Sequence, residues 1–273
     1  MNIQQKLDNI IKKNNSLVCV GLDSDFEKLP KHLKITANPQ FEFNKTIIDA
    51  THDLVCAYKP NSAFYEALGD RGVTQLKMTC DYLQKNYPEI IIILDAKRGD
   101  IGSTNDGYVT YAFDYLGADA ITLHPYLGKE ALEPFLKRKD KGCIILCHTT
   151  NPGAEELQDV ITDGKPFYQL VAEKVTNEWN SNMNCLLVLG ARYPEQMAEV
   201  RKIAGDMTFL VPGIGAQGGD VGKTVKAGLN SQKAGMVINS SRGIIFASNG
   251  DDFAEKAREE TEKLRDEINK SRQ

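Results

Sequence analysis

Two aspartates, a lysine and an arginine stand within six positions in Asp95-Ala-Lys97-Arg98-Gly-Asp100, directly after the apolar run 90–94. If that run is a buried strand that continues, its period of two carries Asp95 and Lys97 to the same side. An anion and a cation then stand together at the strand's carboxyl end. Burying such a pair is costly unless it is fully compensated, so its presence points to chemistry rather than to stability.

Other reactive side chains fall at comparable places, just after apolar runs. They are Asp23, Lys59 with Asn61, His124, Thr149 with Thr150, and the segment Pro212-Gly-Ile-Gly-Ala-Gln217-Gly-Gly. Two carboxylates alternating with two lysines form a set in which each lysine keeps a neighbouring carboxylate ionised in a partly dry pocket. A structural salt-bridge network explains any one pair but not the whole set. The glycines before and after Gln217 let backbone N–H groups approach an anion, and Arg242 in Asn239-Ser-Ser241-Arg242-Gly adds a charged fork one unit later. Together they read as a grip for a phosphorylated small molecule. His124 and His148 each follow an apolar run and could face a shared pocket, but no metal-binding spacing accompanies them, which favours local hydrogen bonding.

These residues need elements to hold them. Short apolar runs occur at 17–22, 54–58, 90–94, 120–123, 143–147, 185–189, 208–211 and 235–238. Helical patterns lie between them at 44–52, 72–86, 104–116, 129–137, 166–179, 194–204 and 219–227. Eight wholly apolar strands, each followed by a helix, predict a parallel sheet closed into a single-domain (β/α)8 TIM barrel over 1–273, with a charged C-terminal helix at about 251–273. An open doubly wound sheet would carry a G-x-G-x-x-G turn after its first strand, and here that turn reads Gly21-Leu-Asp23-Ser-Asp25. In a barrel, chemistry collects at the carboxyl ends of the strands, with phosphate at the loops after strands seven and eight.

A net charge of −4 over 273 residues, with lysine and arginine dispersed, argues against nucleic acid as partner. No apolar run approaches the roughly 20 residues that span a bilayer, and Met1–Lys6 holds no apolar signal core. Six cysteines in apolar surroundings, without C-x-x-C spacing, read as buried reduced thiols. The expectation is a cytoplasmic protein that contacts no membrane.

The stretch Asp95-Ala-Lys97-Arg-Gly-Asp100-Ile101-Gly-Ser-Thr104 resembles the D-x-K-x-x-D-I-x-x-T signature of the orotidine 5′-phosphate decarboxylase family, in the branch that reads DAKRGDIGST. Gly21-Leu-Asp23, Tyr58-Lys59-Pro-Asn61, Thr149-Thr150-Asn-Pro-Gly, Val211-Pro212-Gly-Ile-Gly-Ala-Gln217-Gly-Gly-Asp and Ser240-Ser241-Arg242-Gly are similar to further blocks of that family, in the same order. The resemblance implies conversion of orotidine 5′-phosphate to uridine 5′-monophosphate and CO2, the last step of de novo UMP synthesis, without metal or cofactor. It implies a catalytic Lys59, Asp95, Lys97, Asp100 array in a homodimer, with Asp100, Ile101 and Thr104 reaching the neighbouring site. Asp23 would meet the ribose, Asn61 would lie near the sugar, and Thr150 would face the pyrimidine edge. Pro212 would line the pocket, and Gln217 and Arg242 would hold the phosphate, with the segment around Gln217 as a lid. Ser241 stands where the family carries a glycine, so the backbone contact there does not carry over.

Loss of CO2 from C6 of the orotate ring leaves a vinyl-type carbanion with no adjacent carbonyl to absorb the charge. An ammonium at Lys97 would stabilise that anion and then protonate it. Unit charges about 4 Å apart interact by roughly 4 kcal/mol at an effective dielectric near 20, enough to change rates by orders of magnitude. Two rivals remain at this level: a Mg-dependent sugar-phosphate aldolase or decarboxylase of the same barrel group, such as hexulose-phosphate synthase, and a non-catalytic nucleotide-binding barrel. Lys59 after the second strand speaks against the first, and the full charged array against the second.

Overall fold

The computed structural model describes residues 1–214 and 219–273. Its strands are β1 (Val18–Gly21), β2 (Ala57–Lys59), β3 (Ile91–Arg98), β4 (Ala120–Leu123), β5 (Gly142–His148), β6 (Ile161–Thr162), β7 (Lys165–Pro166), β8 (Cys185–Leu189), β9 (Phe209–Pro212) and β10 (Met236–Ser240). Parallel pairing closes β1-β2-β3-β4-β5-β8-β9-β10 into a barrel. These eight strands are the eight predicted from the apolar runs. Residues of β1, β2, β4 and β8 are buried throughout, as expected of strands filled on the inside and covered by helices outside. The short antiparallel pair β6–β7, within the connection after β5, was not foreseen.

The predicted helices at 104–116 and 166–179 each change pitch midway. Ser103–Val109 continues as a π-helical stretch Thr110–Tyr115, and Phe167–Lys174 continues as Val175–Trp179. A helix absent from the sequence expectations, Ile3–Asn14, begins in a capping box between Asn2 and Gln5 and buries Ile3, Leu7, Ile10 and Ile11. Its Lys6 ion-pairs with Asp119 at 2.7 Å, and its Gln4 accepts the Thr208 hydroxyl at 2.8 Å. Asp119 and Thr208 sit at the starts of strands, so this helix covers the amino-terminal end of the barrel and leaves the carboxyl end for ligands. The C-terminal helix Phe253–Ser271 packs outside through Phe253, Ala257, Thr261 and Ile268, and its Arg258 grips Asp53 with both terminal nitrogens. Among the described residues no helix is long and apolar enough to cross a membrane.

The ladder between β3 and β4 is irregular at one place. Leu94 pairs with Ile121 and Arg98 with Leu123, so β3 advances four residues while β4 advances two. The surplus forms a bulge at Asp95–Lys97, with Lys97 in the left-handed region at φ 46°. The strand thus runs past Leu94, where the apolar run ends, and plain alternation is not what brings Asp95 and Lys97 together.

Candidate active site

Asp95 is the centre of the charged group. Lys59, from the end of β2, reaches its Oδ2 at 2.8 Å, and Lys97 reaches its Oδ1 at 2.6 Å. Lys59 and Asp95 are buried, at 4% and 8% exposure, whereas half of the Lys97 side chain faces the open mouth. Burial alone would raise the Asp95 pKa, but the charges of Lys59 and Lys97 and their hydrogen bonds outweigh it and hold the carboxyl well below the usual carboxylate range. For Lys59 burial would lower the value, yet Asp95, then Asp23, keep the ammonium above the ordinary lysine range. Both groups are therefore ionised at neutral pH. Cys19, beneath them on β1, is different in kind: burial pushes its thiol up to about 12, which leaves it a neutral filler.

The backbone arrangement that allows this pairing is local. Asp95 N–H donates to Pro60 O at 2.9 Å and Ser62 N–H to Asp95 O at 3.2 Å, which draws the ends of β2 and β3 together. Thr122 on β4 completes the group: its hydroxyl donates to Asp95 Oδ1 at 2.9 Å. Nothing in the sequence singled out Thr122. The available signal was a lone hydroxyl inside an apolar strand, one register step from the charged segment.

Two adjoining cavities open over the array and share Lys59, Asp95 and Pro212. The smaller, about 160 Å³, is polar and is bounded by Asp23, Asn239, Ser240, Ser241 and Arg242. The larger, about 420 Å³, is lined by Lys97, Thr122, Thr149, Thr150 and Gln158 on its polar side and by Leu146, Val188 and Leu210 on its apolar side. Such a combination of apolar wall and few convergent polar groups is typical of small-molecule sites. Asp23 Oδ1 is buried and finds no hydrogen-bond partner among the described residues, so it is an acceptor awaiting a donor. Arg242 opens the helix Arg242–Ile245 and is exposed to the smaller cavity. Ser241 donates its hydroxyl to Gly21 O at 3.1 Å.

Not every predicted residue converges. Asn61 sits at the end of β2, but its side-chain oxygen accepts Ala63 N–H at 3.1 Å and it lines neither cavity. Asp100, Ile101 and Thr104 also lie outside both cavities of their own chain. Asp100 Oδ1 accepts Ile101 N–H at 2.8 Å, and Ile101 is 60% exposed. Gln217 lies outside the described residues. The two histidines do not share a pocket. His148 Nε2 is 3.0 Å from Asp159 Oδ1, its ring packed between Tyr168 and Tyr193, and His124 packs on Gly99. Among the described residues no group of three His, Cys, Asp or Glu side chains is placed to hold a metal ion.

A larger basin of about 720 Å³ lies between residues 27–34 and 246–251, but it is open, and most of its cations are already paired. Lys28 binds Asp25, Lys34 contacts Glu27 and His32 faces Asp251. The chemistry belongs to the barrel mouth.

Residues 16–257 match the Orotidine 5′-phosphate decarboxylase / HUMPS family. Among curated relatives, the orotidine 5′-phosphate decarboxylase of Cellvibrio japonicus is 53% identical over 242 residues, covering 88% of each chain. That of a Janthinobacterium species is 48% identical over 240 residues, again 88% of each. Among solved structures, the OMP decarboxylase of Leishmania donovani aligns with a TM-score of 0.88 at 39% identity, over 100% of this chain and 99% of that one.

Proposed function

The chain belongs to the orotidine 5′-phosphate decarboxylase / HUMPS family and decarboxylates orotidine 5′-phosphate to uridine 5′-monophosphate and CO2, a step of UMP biosynthesis; we propose that it does so through Lys97. The observation that carries this reading is the double engagement of Asp95, with Lys59 on one oxygen and Lys97 on the other. The C6–carboxylate bond breaks with its electron pair left on C6, and neutral CO2 departs. The Lys97 ammonium, fixed by Asp95 beside the ring, stabilises the carbanion and gives it a proton. Solvent then restores the proton on Lys97. Because both oxygens of Asp95 are occupied by ammonium groups, the array supplies its own positive charge, and the proposed reaction uses neither metal nor cofactor.

The smaller cavity takes the ribose phosphate. Asp23 accepts a ribose hydroxyl, a role supported by its buried oxygen that has no partner among the described residues. Arg242 and Gln217 bind the phosphate, and Ser241 borders it. Pro212 lines both compartments, and Thr150 meets the pyrimidine edge in the larger one. Gripping the unreactive phosphate lets binding energy act on the reacting ring.

The proposed assembly is a homodimer in which Asp100, Ile101 and Thr104 complete the neighbouring site. This is supported by the exposure of Ile101, of Tyr126 at 78% and of Leu127 at 45%, all on the loops that follow β3 and β4. Residues 1–273 are proposed as one domain, working in the reducing cytoplasm, where six buried unpaired cysteines are at home.

The test is absorbance-monitored turnover of orotidine 5′-phosphate with EDTA present, for the wild type and Lys97→Ala. The wild type is expected to be unaffected by EDTA, and Lys97→Ala to lose at least about 10²-fold in kcat. Near-normal CO2 release by Lys97→Ala would remove Lys97 as the acid.

A further inference from the structure

We propose that Thr122 is a positioning residue for the decarboxylation, holding Asp95 and Lys97 in register through one hydroxyl. The inference rests on the reading of Lys97 given above and adds a residue that does not itself belong to the charged array.

The bulge in β3 leaves backbone groups that the β3–β4 ladder does not pair. Two of them, the N–H groups of Ala96 and Lys97, donate to Thr122 Oγ1 at 3.0 and 2.9 Å. A hydroxyl has one proton and two lone pairs. With both lone pairs taken by N–H donors, the proton has one direction left, and it goes to Asp95 Oδ1 at 2.9 Å. Thr122 is 1% exposed, and its bond to Asp95 is buried from solvent.

The same Oδ1 receives Lys97 Nζ at 2.6 Å. One oxygen atom of Thr122 thus fixes the backbone from which Lys97 springs and the carboxylate oxygen on which its ammonium rests. Lys97 needs that support, because a left-handed backbone is strained for a residue with a side chain. Remove the hydroxyl and two N–H groups lose their acceptor. Lys97 is then free to relax toward an extended conformation, carrying Nζ away from C6. Thr122 lines the larger cavity and is remote from the Arg242 end, so ribose phosphate binding is not disturbed.

The experiment compares Thr122→Val, Thr122→Ala and Thr122→Ser with the wild type in turnover of orotidine 5′-phosphate and in affinity for uridine 5′-monophosphate. Valine keeps the shape and loses the hydroxyl. The expected result is a fall in kcat of roughly 10²-fold for Val, as for an ångström-scale misplacement of a reacting group. KM and product affinity should stay within a few-fold of wild type, and Ser should recover most of kcat. If Val does not fold, Ala carries the same expectation. The proposal is overturned by a kcat within threefold of wild type in the variants lacking the hydroxyl. It is equally overturned by a loss of kcat matched by lost product affinity, or by Ser performing no better than Val. A wild type that does not turn over orotidine 5′-phosphate would instead overturn the function itself, which separates the two failures.

Discussion

Ser241 closes over Gly21: its hydroxyl donates to the Gly21 carbonyl, and a Cβ built on Gly21 would stand 2.6 Å from the Ser241 Cβ. The Ser241 side chain is thus accommodated by a glycine on the neighbouring strand. Gly21→Ala is expected to push Ser241 aside and shift the start of the helix that carries Arg242. KM for orotidine 5′-phosphate should rise by about tenfold, equivalent to about 1.4 kcal/mol, with a smaller effect on kcat. Adding Ser241→Gly should restore KM. If the two substitutions simply add in a double-mutant cycle, the packing argument is wrong.

Asp100 makes no ion pair among the described residues, although Arg98 and Lys97 are its close sequence neighbours. If its partner lies across a two-fold interface, inactive Lys97→Ala and inactive Asp100→Ala should complement each other when mixed. Random pairing puts half of the subunits in mixed dimers with one intact site of two, so about a quarter of wild-type activity should return. Absence of recovery, with subunit exchange demonstrated by mass spectrometry, would refute a shared site.

The pH response follows from the directions in which the central pair is shifted. Asp95 is lowered, so its stabilising contribution is complete above the ordinary aspartate value near 3.9 and is lost as pH falls through its lower folded value. Lys59 is raised, so its contribution is complete below the ordinary lysine value near 10.4 and is lost only above that. Asp95→Asn leaves Lys59 buried without its counter-charge and is expected to cost about 3–5 kcal/mol. Measured by denaturant unfolding, that cost should shrink as pH falls below about pH 4, where the wild type begins to lose the Asp95 contribution. A cost that stayed undiminished from about pH 5 down to about pH 2 would contradict the assignment.

The apolar runs made the barrel legible, because strands buried on both faces leave a signal independent of their partners. Lys59, Asp95 and Lys97 were legible for the same reason, as charges at the ends of such runs. What escaped depends on contacts between distant segments. Thr122 matters only because a bulge on another strand presents two N–H groups to it. Arg201 looks like any surface helix arginine, yet its guanidinium binds the carbonyls of Gly205, Met207, Gly228 and Gly235 and lies 3.6 Å over the Phe209 ring. The pairing of His148 with Asp159 likewise depends on how the chain after β5 folds back. The helix Ile3–Asn14 carried an amphipathic pattern, but no reacting side chain drew notice to it.

The ring of strands is completed by β10 lying against β1, with Val18 opposite Ile238 and Val20 opposite Ser240. Asp23 and Arg242 therefore follow the first and the last strand of the barrel and share one cavity. On a ribosome, that cavity cannot exist until the segment through Arg242 has emerged. Every shorter nascent chain would instead present the free edges of β1 and of its latest strand, which makes the interval before β10 arrives the period of greatest exposure to misassociation.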